Sequence, residues 1–420
     1  MSINAPGPMN DDARVLEFER DVADEMLQED FLSHINAPVV YAGGKAPISI
    51  PEAIFLKLDA ARAKNAQDVT MTMIKDFHGD MGMGSATDAE GTEEDYELKT
   101  FKMQCNDIFH VHADESYGNE ARMKAAYNMI EKGPKLEARY FQGGMGWFRR
   151  SAVVEMQSPN LLSYPLYNAA MFNPNVFVCG VTDAQQPAYS MVAQNHLDNV
   201  VHALNHAGVG TNSAASIHFF HRLEEWCFEH LDPLEDSIGQ YFLVSLPSKQ
   251  ITWLKDNGST RTFGSYYQIP DSQKEMPRFR FPGFVDQVGR LVFVEDQLYP
   301  TITISGSPSA SAGTHDGTLT VQYHLMGRAD DGSSDPRDKT ATARQVGMIF
   351  GRGGLCEWWA EPLHVEYNYE NYDRRYGSGM FGVYGCKGVA YDVHEPTHSS
   401  TYQHSGTAIC IFGPPPISTY

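Results

Sequence analysis

Apolar residues recur at helical spacing early in the chain. Phe18, Val22 and Met26 step by four, Leu27 and Phe31 stand beside them, and acids crowd the opposite side, so residues 13–32 are predicted to form an amphipathic helix. From Ala37-Pro38 to Ile50 the chain is extended and rich in small residues. Pro51 stands where a helix favours its first residue, and a second short helix is predicted through Ile54, Leu58 and Ala61. Two short helices on an extended tether make no core, and they read as an arm that packs on something else.

The period then changes to two. Residues 69–74, Val-Thr-Met-Thr-Met-Ile, alternate as a strand. From Gly79 to Gly91 the chain is polar and Gly-rich, with Met81 and Met83 between glycines and no period. Alternation resumes from Tyr96, with Phe101, Met103 and Cys105 on one face. This describes a β-hairpin whose tip far exceeds an ordinary turn, an excursion of the kind that reaches a partner.

Residues 114–132 are predicted helical, because Met123, Ala126, Tyr127 and Ile130 share a face and Glu120 precedes Lys124 by one turn. Gly133-Pro134 interrupts that pattern, and helical character resumes from Lys135. The Asn- and Pro-rich stretch to Asn195 shows no assignable period. A helix is predicted over 214–231, with Phe219, Leu223 and Trp226 on one side. Tyr241 to Leu246 reads as a buried strand, and Pro247 opens a short helix through Ile251 and Leu254. Leu291 to Val294 is a further strand, Ser305 to Gly317 an exposed Ser/Gly/Ala loop, and Ala329 to Asp338 an acidic loop. An apolar helix is expected over 341–350, then strands at Val365 to Tyr369, Met380 to Tyr384 and Ala408 to Phe412. Helices and strands intersperse without a βαβ rhythm, so the fold class is α+β. No internal repeat is visible.

Composition narrows the function. A chain of 420 residues buries roughly three quarters of its unfolded surface, and its length suggests two or three structural units. Hydrophobic residues at 42% and charged residues at 20% describe a globular protein. The 32 Lys and Arg stand against 53 Asp and Glu, a net charge of -21. That balance argues against a protein devoted to gripping nucleic acid or docking on anionic lipid, both of which need clustered cations. The six cysteines contain no C-x-x-C pair and are expected to be isolated buried thiols in a reducing cytoplasm. Asp11, Asp12, Glu17 and Glu19 occupy the place of a signal peptide's cationic start. The longest uncharged stretch, Met156 to Thr182, is broken by Pro159, Pro165 and Pro174. Neither secretion nor membrane insertion is expected.

Candidate chemistry is sparse. His110-Val111-His112 sets two imidazoles on one face of a strand, a pairing that can bind zinc, but no third ligand is suitably spaced. His202 and His206 stand four apart with His196 upstream, without the Glu of an H-E-x-x-H site. Gly79, Gly82 and Gly84 lack the Lys-Ser/Thr of a phosphate loop, and Asp80 and Asp88 would repel phosphate. No G-x-S-x-G elbow is present. Asp330, Asp331, Asp335 and Asp338 depart from the EF-hand pattern; a solvated loop is the default reading and calcium the alternative. No catalytic residue, metal site or cofactor is assigned. An arm and a long hairpin make sense when their apolar faces find burial on neighbouring copies, the contacts that build rings and closed shells.

Four passages carry a resemblance. Asp68-Val69-Thr70-Met71 leads through a Gly-rich stretch to Ala89-Glu90-Gly91-Thr92-Glu93-Glu94. The second is Tyr241 to Gln250, a strand followed by Leu-Pro-Ser-Lys-Gln. The third is Phe281-Pro282-Gly283-Phe284 running into Leu291 to Val294. The fourth joins Asn371-Tyr372-Asp373 to Gly382-Val383-Tyr384-Gly385-Cys386-Lys387. In this order, over residues 68 to about 391, they resemble the major capsid proteins of tailed bacteriophages with the HK97-like fold, and more narrowly the coliphage N4-type family. Thr92 replaces that family's Asn in "E-G-N-E-E", and Arg374 and Arg375 depart from its "D-Y-G-N".

The resemblance implies an N-terminal arm over 1–65, an extended loop over 66–112, and a spine helix with the first part of a peripheral domain over 113–159. An axial domain over 160–340 and the rest of the peripheral domain over 341–420 complete it. It also implies a virion subunit made in the bacterial host cytoplasm. Such subunits form hexamers and pentamers around double-stranded DNA, with scaffolding, portal and decoration proteins as possible partners and no membrane. Val15, Phe18, Val22 and Met26 of the arm and Met81, Met83, Glu90, Glu93 and Glu94 of the hairpin are then the expected contacts between subunits. An acidic shell also suits packaged DNA, which slides past a wall that does not bind phosphate. The alternatives are an encapsulin-like compartment shell, a metal-dependent β-rich hydrolase using His110 and His112 or the acidic loop, and a decoration or spike protein.

Overall fold

The most apolar runs of the chain, Tyr241 to Leu246, Leu291 to Val294, Val346 to Phe350 and Ala408 to Phe412, lie close together in one sheet. The computed structural model describes residues 39–40, 55–58, 68–74, 98–114, 129–156, 172–187, 193–207, 213–236, 239–256, 284–296, 299–305, 318–323, 344–370, 375–394 and 401–414. Strands β1 (Val39–Val40), β2 (Phe55–Leu58), β3 (Asp68–Ile74), β4 (Leu98–Gln104) and β5 (Asn106–Asp114) precede helix α1 (Met129–Glu155). Then come β6 (Val176–Val178), helices α2 (Ala193–Ala207) and α3 (Ile217–His230), β7 (Leu234–Asp236), β8 (Gly239–Pro247) and helix α4 (Ser248–Asp256). They are followed by β9 (Phe284–Val288), β10 (Leu291–Asp296), β11 (Pro300–Ser305), β12 (Thr318–Tyr323) and β13 (Arg344–Phe350). The last are β14 (Leu355–Glu370), β15 (Arg375–Gly388), β16 (Ala390–His394), β17 (Thr401–Ser405) and β18 (Thr407–Phe412).

A nine-stranded mixed sheet runs β12-β11-β13-β8-β10-β9, with β18 on β13, β6 on β18 and β7 on β8. A five-stranded sheet runs β1-β2-β14-β15-β5. The β3–β4 hairpin and the β16–β17 hairpin stand as two-stranded sheets. The predicted hairpin strands are therefore found, and β5 is separate from them, since the chain leaves β4 at the buried Cys105 to join another sheet.

The nine-stranded sheet is buried on both faces. Leu243, Val292, Val294, Val346, Met348, Phe350, Ile409 and Ile411 share one core with α1, α2 and the inner face of the five-stranded sheet. Phe242, Val244, Leu246, Leu291, Phe293, Ile349, Ala408, Cys410 and Phe412 pack with α3 and α4 on the other. Successive strand residues point to opposite faces, so covering both faces turns alternation into a continuous apolar run. That is why 344–350 is a strand and not the expected helix: all seven residues of β13 are buried between β11, β18 and β8.

Helix α3 follows its prediction closely. Ser216 caps it, accepting a hydrogen bond from the Phe219 amide at 3.3 Å. Its buried line runs through Phe220, Leu223 and Cys227, with Phe219 and Trp226 half-buried at the flanks.

Helix α1 departs from prediction. Asp114 ends β5, residues 115–128 lie outside those described, and the helix spans Met129–Glu155, through Gly133 and Pro134. Proline there removes one helical hydrogen bond, but Phe141, Met145, Phe148 and Ala152 downstream form the stripe that enters the core. Two adjacent arginines tie that stripe to both sheets. Arg150, 1% exposed, forms a two-pronged pair with Asp296 of β10 at 2.8 Å through both Nε and Nη2, and Ser245 of β8 donates to the same carboxylate at 3.0 Å. Arg149 reaches Glu357 of β14 at 2.9 Å. Met156 ends the helix with φ 56°, the left-handed value common just past a helix C-terminus.

Candidate assembly surface

The five-stranded sheet presents one edge strand with unusual side chains. β15 pairs with β5 over all nine residues, from Tyr376 opposite Asp114 to Tyr384 opposite Asn106, without a break in register. No strand among the described residues pairs with the other edge of β5. Ile108 and His110 point inward to α1, where the His110 ring lies 4.1 Å from Tyr140 and meets Phe141 edge-on at 6.4 Å. Phe109 and Val111 point outward and are 67% and 57% exposed.

Phe109 stacks on Phe381 at 6.4 Å, and Phe381 lies 6.1 Å from His364. Glu361 and Glu366 bracket His364 at 3.6 and 3.7 Å, so the apolar patch has an acidic rim. Four large apolar side chains are exposed among the described residues: Phe109, Val111, Tyr140 and Phe228. Phe109 and Val111 share the outward face of β5, and Tyr140 lies on the opposite face against the His110 ring. An exposed apolar pair rimmed by polar groups marks a candidate interaction surface, and an edge strand that no described strand pairs offers backbone donors and acceptors beside it.

The residues singled out from the sequence fall elsewhere. Val15, Phe18, Val22 and Met26 of the arm and Met81, Met83, Glu90, Glu93 and Glu94 of the hairpin lie outside the described residues. Gly79, Gly82, Gly84, Asp330, Asp331, Asp335 and Asp338 do as well. His110 and His112 both belong to β5. His202 and His206 meet edge-on at 4.4 Å on α2, whereas His196 is buried with its Nε2 3.0 Å from the Asn173 carbonyl oxygen. Among the described residues no three His, Cys, Asp or Glu side chains come together as metal ligands, and no helix is long and apolar enough to cross a membrane.

The cysteines are all buried and none is in a disulfide, but they are not isolated. Cys356 senses Cys386 and Cys105, and Cys410 senses Cys227 and Cys179. Burial pushes the Cys179 and Cys386 thiols up to about 12, and raises Cys227, Cys356 and Cys410 as well. Thiols held protonated are poor nucleophiles.

Sequence reasoning missed Phe109, Val111 and Tyr140. The available signal was a strand apolar on both faces, which describes a buried strand equally well until its neighbours are known.

No family model matches this sequence, and no curated protein matches it. Solved structures do. The capsid of Ralstonia phage GP4 is 10% identical and superposes with a TM-score of 0.57, covering 86% of this chain and 88% of that one. The capsid asymmetric unit of cyanophage Pam1 is 13% identical with a TM-score of 0.51, over 86% and 89% of the two chains. The head structure of Helicobacter pylori bacteriophage KHP40 is 11% identical with a TM-score of 0.51, over 86% and 88%. Likeness over most of both chains at such low identity means that the arrangement of elements is shared while the side chains differ. This chain has the α+β HK97-like fold of phage capsid structures.

Proposed function

We propose that this chain is the major capsid subunit of an icosahedral phage head, forming hexamers and pentamers around double-stranded DNA. The observation that supports it most is the superposition on three phage capsid structures over 86% of the chain. On this reading the chain is structural and carries no catalytic residue, metal or cofactor. The arm over 1–65, through Val15, Phe18, Val22 and Met26, and the hairpin tip, through Met81, Met83, Glu90, Glu93 and Glu94, reach neighbouring copies, while β1 and β2 within that arm stay on this chain's own five-stranded sheet. The spine helix opens a peripheral domain over 113–159 that is completed over 341–420, and 160–340 forms an axial domain. The N4-type family is the nearer relation, on the four sequence passages. The mature location is the virion, after synthesis in the bacterial host cytoplasm. Scaffolding, portal and decoration proteins are the further partners.

The test is negative-stain electron microscopy with size-exclusion light scattering on the protein expressed alone and with its scaffolding protein. Shells, or free pentamers and hexamers, are expected. A monomer that persists across concentration and salt under both conditions overturns the reading. An encapsulin-like compartment would give shells too, and it differs in cargo: nuclease-protected double-stranded DNA in particles from infected cells is expected here.

A further inference from the structure

We propose that β5 is the seat of a two-fold contact between copies of this chain, in which the β5 edge that no described strand pairs meets its counterpart antiparallel about His110 and joins two five-stranded sheets into one. The partner rests on the shell reading, and the geometry rests on β5 itself.

The first argument is the absence of edge protection. Soluble proteins shield exposed edges with lysine, proline, bulges or very short strands. β5 has nine residues, an unbroken register with β15, and neither Lys nor Pro. Its centre reads Ile108-Phe109-His110-Val111, with acids only towards the ends at Asp107 and Asp114. Among the described residues this leaves an edge of unbroken register with an apolar centre in a molecule of net charge -21.

The second argument is self-complementarity. An isologous contact requires one patch to fit itself. With the axis at His110, Phe109 faces the partner's Val111, and Ile108 faces the partner's His112. Asp107 then faces the partner's Ala113, and Asn106 faces the partner's Asp114. No two acids oppose one another, and the exposed apolar pair closes on itself, the cross-strand arrangement that stabilises sheets. Moving the axis to Phe109 sets Asp107 against Val111, and moving it to Val111 sets Asp114 against Ile108. Of these three registers, the central one keeps both acids off Ile108, Phe109 and Val111.

The experiment is disulfide trapping. In the double variant Phe109→Cys/Val111→Cys, mild oxidation of assembled particles should yield covalent dimers in denaturing gels, because the new thiols face each other across the axis. Either single variant should yield at most traces, and the six native thiols are buried. Shells that form from the double variant without covalent dimers overturn the proposal and leave the shell reading standing. Dimers trapped from a chain that never assembles retain the β5 contact and sink the shell reading. Neither dimers nor shells under any condition overturns both. As a second measurement, Phe109→Lys/Val111→Lys should keep the native circular dichroism and lose assembly, whereas Phe228→Lys, at the fourth exposed apolar position, should assemble normally. Normal assembly of the double lysine variant also overturns the proposal.

Discussion

A methyl group added at Gly144 meets nothing within 4 Å, whereas one at Gly388 would sit 2.6 Å from both the Ala152 carbonyl oxygen and the Met156 sulfur. Gly144 lies inside α1, where alanine is the better helix former. Gly144→Ala is expected to raise unfolding free energy by about 0.5–1 kcal/mol. Gly388→Ala should lower it by about 1–3 kcal/mol, because the helix end must move away from β15. Urea midpoints of the two variants against the parent chain check both signs. The thiols add a pH dependence. Five of them hold their protons more tightly when folded, Cys179 and Cys386 up to about 12. An unfolded thiol ionises near about 8.5. Above that pH the unfolded chain binds fewer protons than the folded one, so stability is whole below it and falls as pH rises. The slope is up to about 1.4 kcal/mol per pH unit for each such thiol. Denaturant midpoints that stay flat between roughly pH 8.5 and 10.5 would contradict this.

At the scale of the element, α1 carries the connection between sheets. Asp296 is 1% exposed, and Arg150 is the cation beside it. Arg150→Met is expected to cost about 3–5 kcal/mol, because a buried carboxylate loses its partner. Arg150→Met/Asp296→Leu should recover most of that loss, since the desolvation cost disappears with the charges. The comparison is Arg222→Met, which breaks a 2.7 Å pair with Asp183 whose side chains are 68% and 79% exposed, and it should cost at most about 1 kcal/mol. Thermal and urea unfolding of the three variants decides the ranking. Equal losses for Arg150→Met and Arg222→Met would mean that the clamp between α1 and β10 is not what holds the sheet to the helix.

At the scale of the whole molecule, charge opposes association. Every copy brings a net charge of -21, and any assembly concentrates that charge. Raising salt from ~0.02 M to ~0.3 M shortens the screening length from roughly 20 Å to about 6 Å. The concentration at which particles appear in light scattering is therefore expected to fall as salt rises over that range. A threshold that rises with salt would show that ion pairs between subunits, and not apolar and backbone contacts, hold the assembly.

The sequence by itself determined the local elements whose period survives burial. These are the β3 and β4 strands of the hairpin, helix α3 with its Ser216 cap, strands β8 and β10, helix α4 after Pro247, and β18. Each has a signal written in neighbouring residues: alternation, a cap, a proline at a helix start. Four ordered passages also pointed to the fold that the superpositions show. Only the tertiary structure decided that 344–350 is a strand, because a segment covered on both faces keeps no period by which to tell it from a buried helix. It also decided that α1 runs through Gly133-Pro134, since the residues that outweigh the proline lie downstream on the core face. The exposure of Phe109 and Val111 was decided there too: the pairing that places β5 at the edge of the described sheet joins it to residues more than two hundred positions away, and no local pattern records a partner so distant.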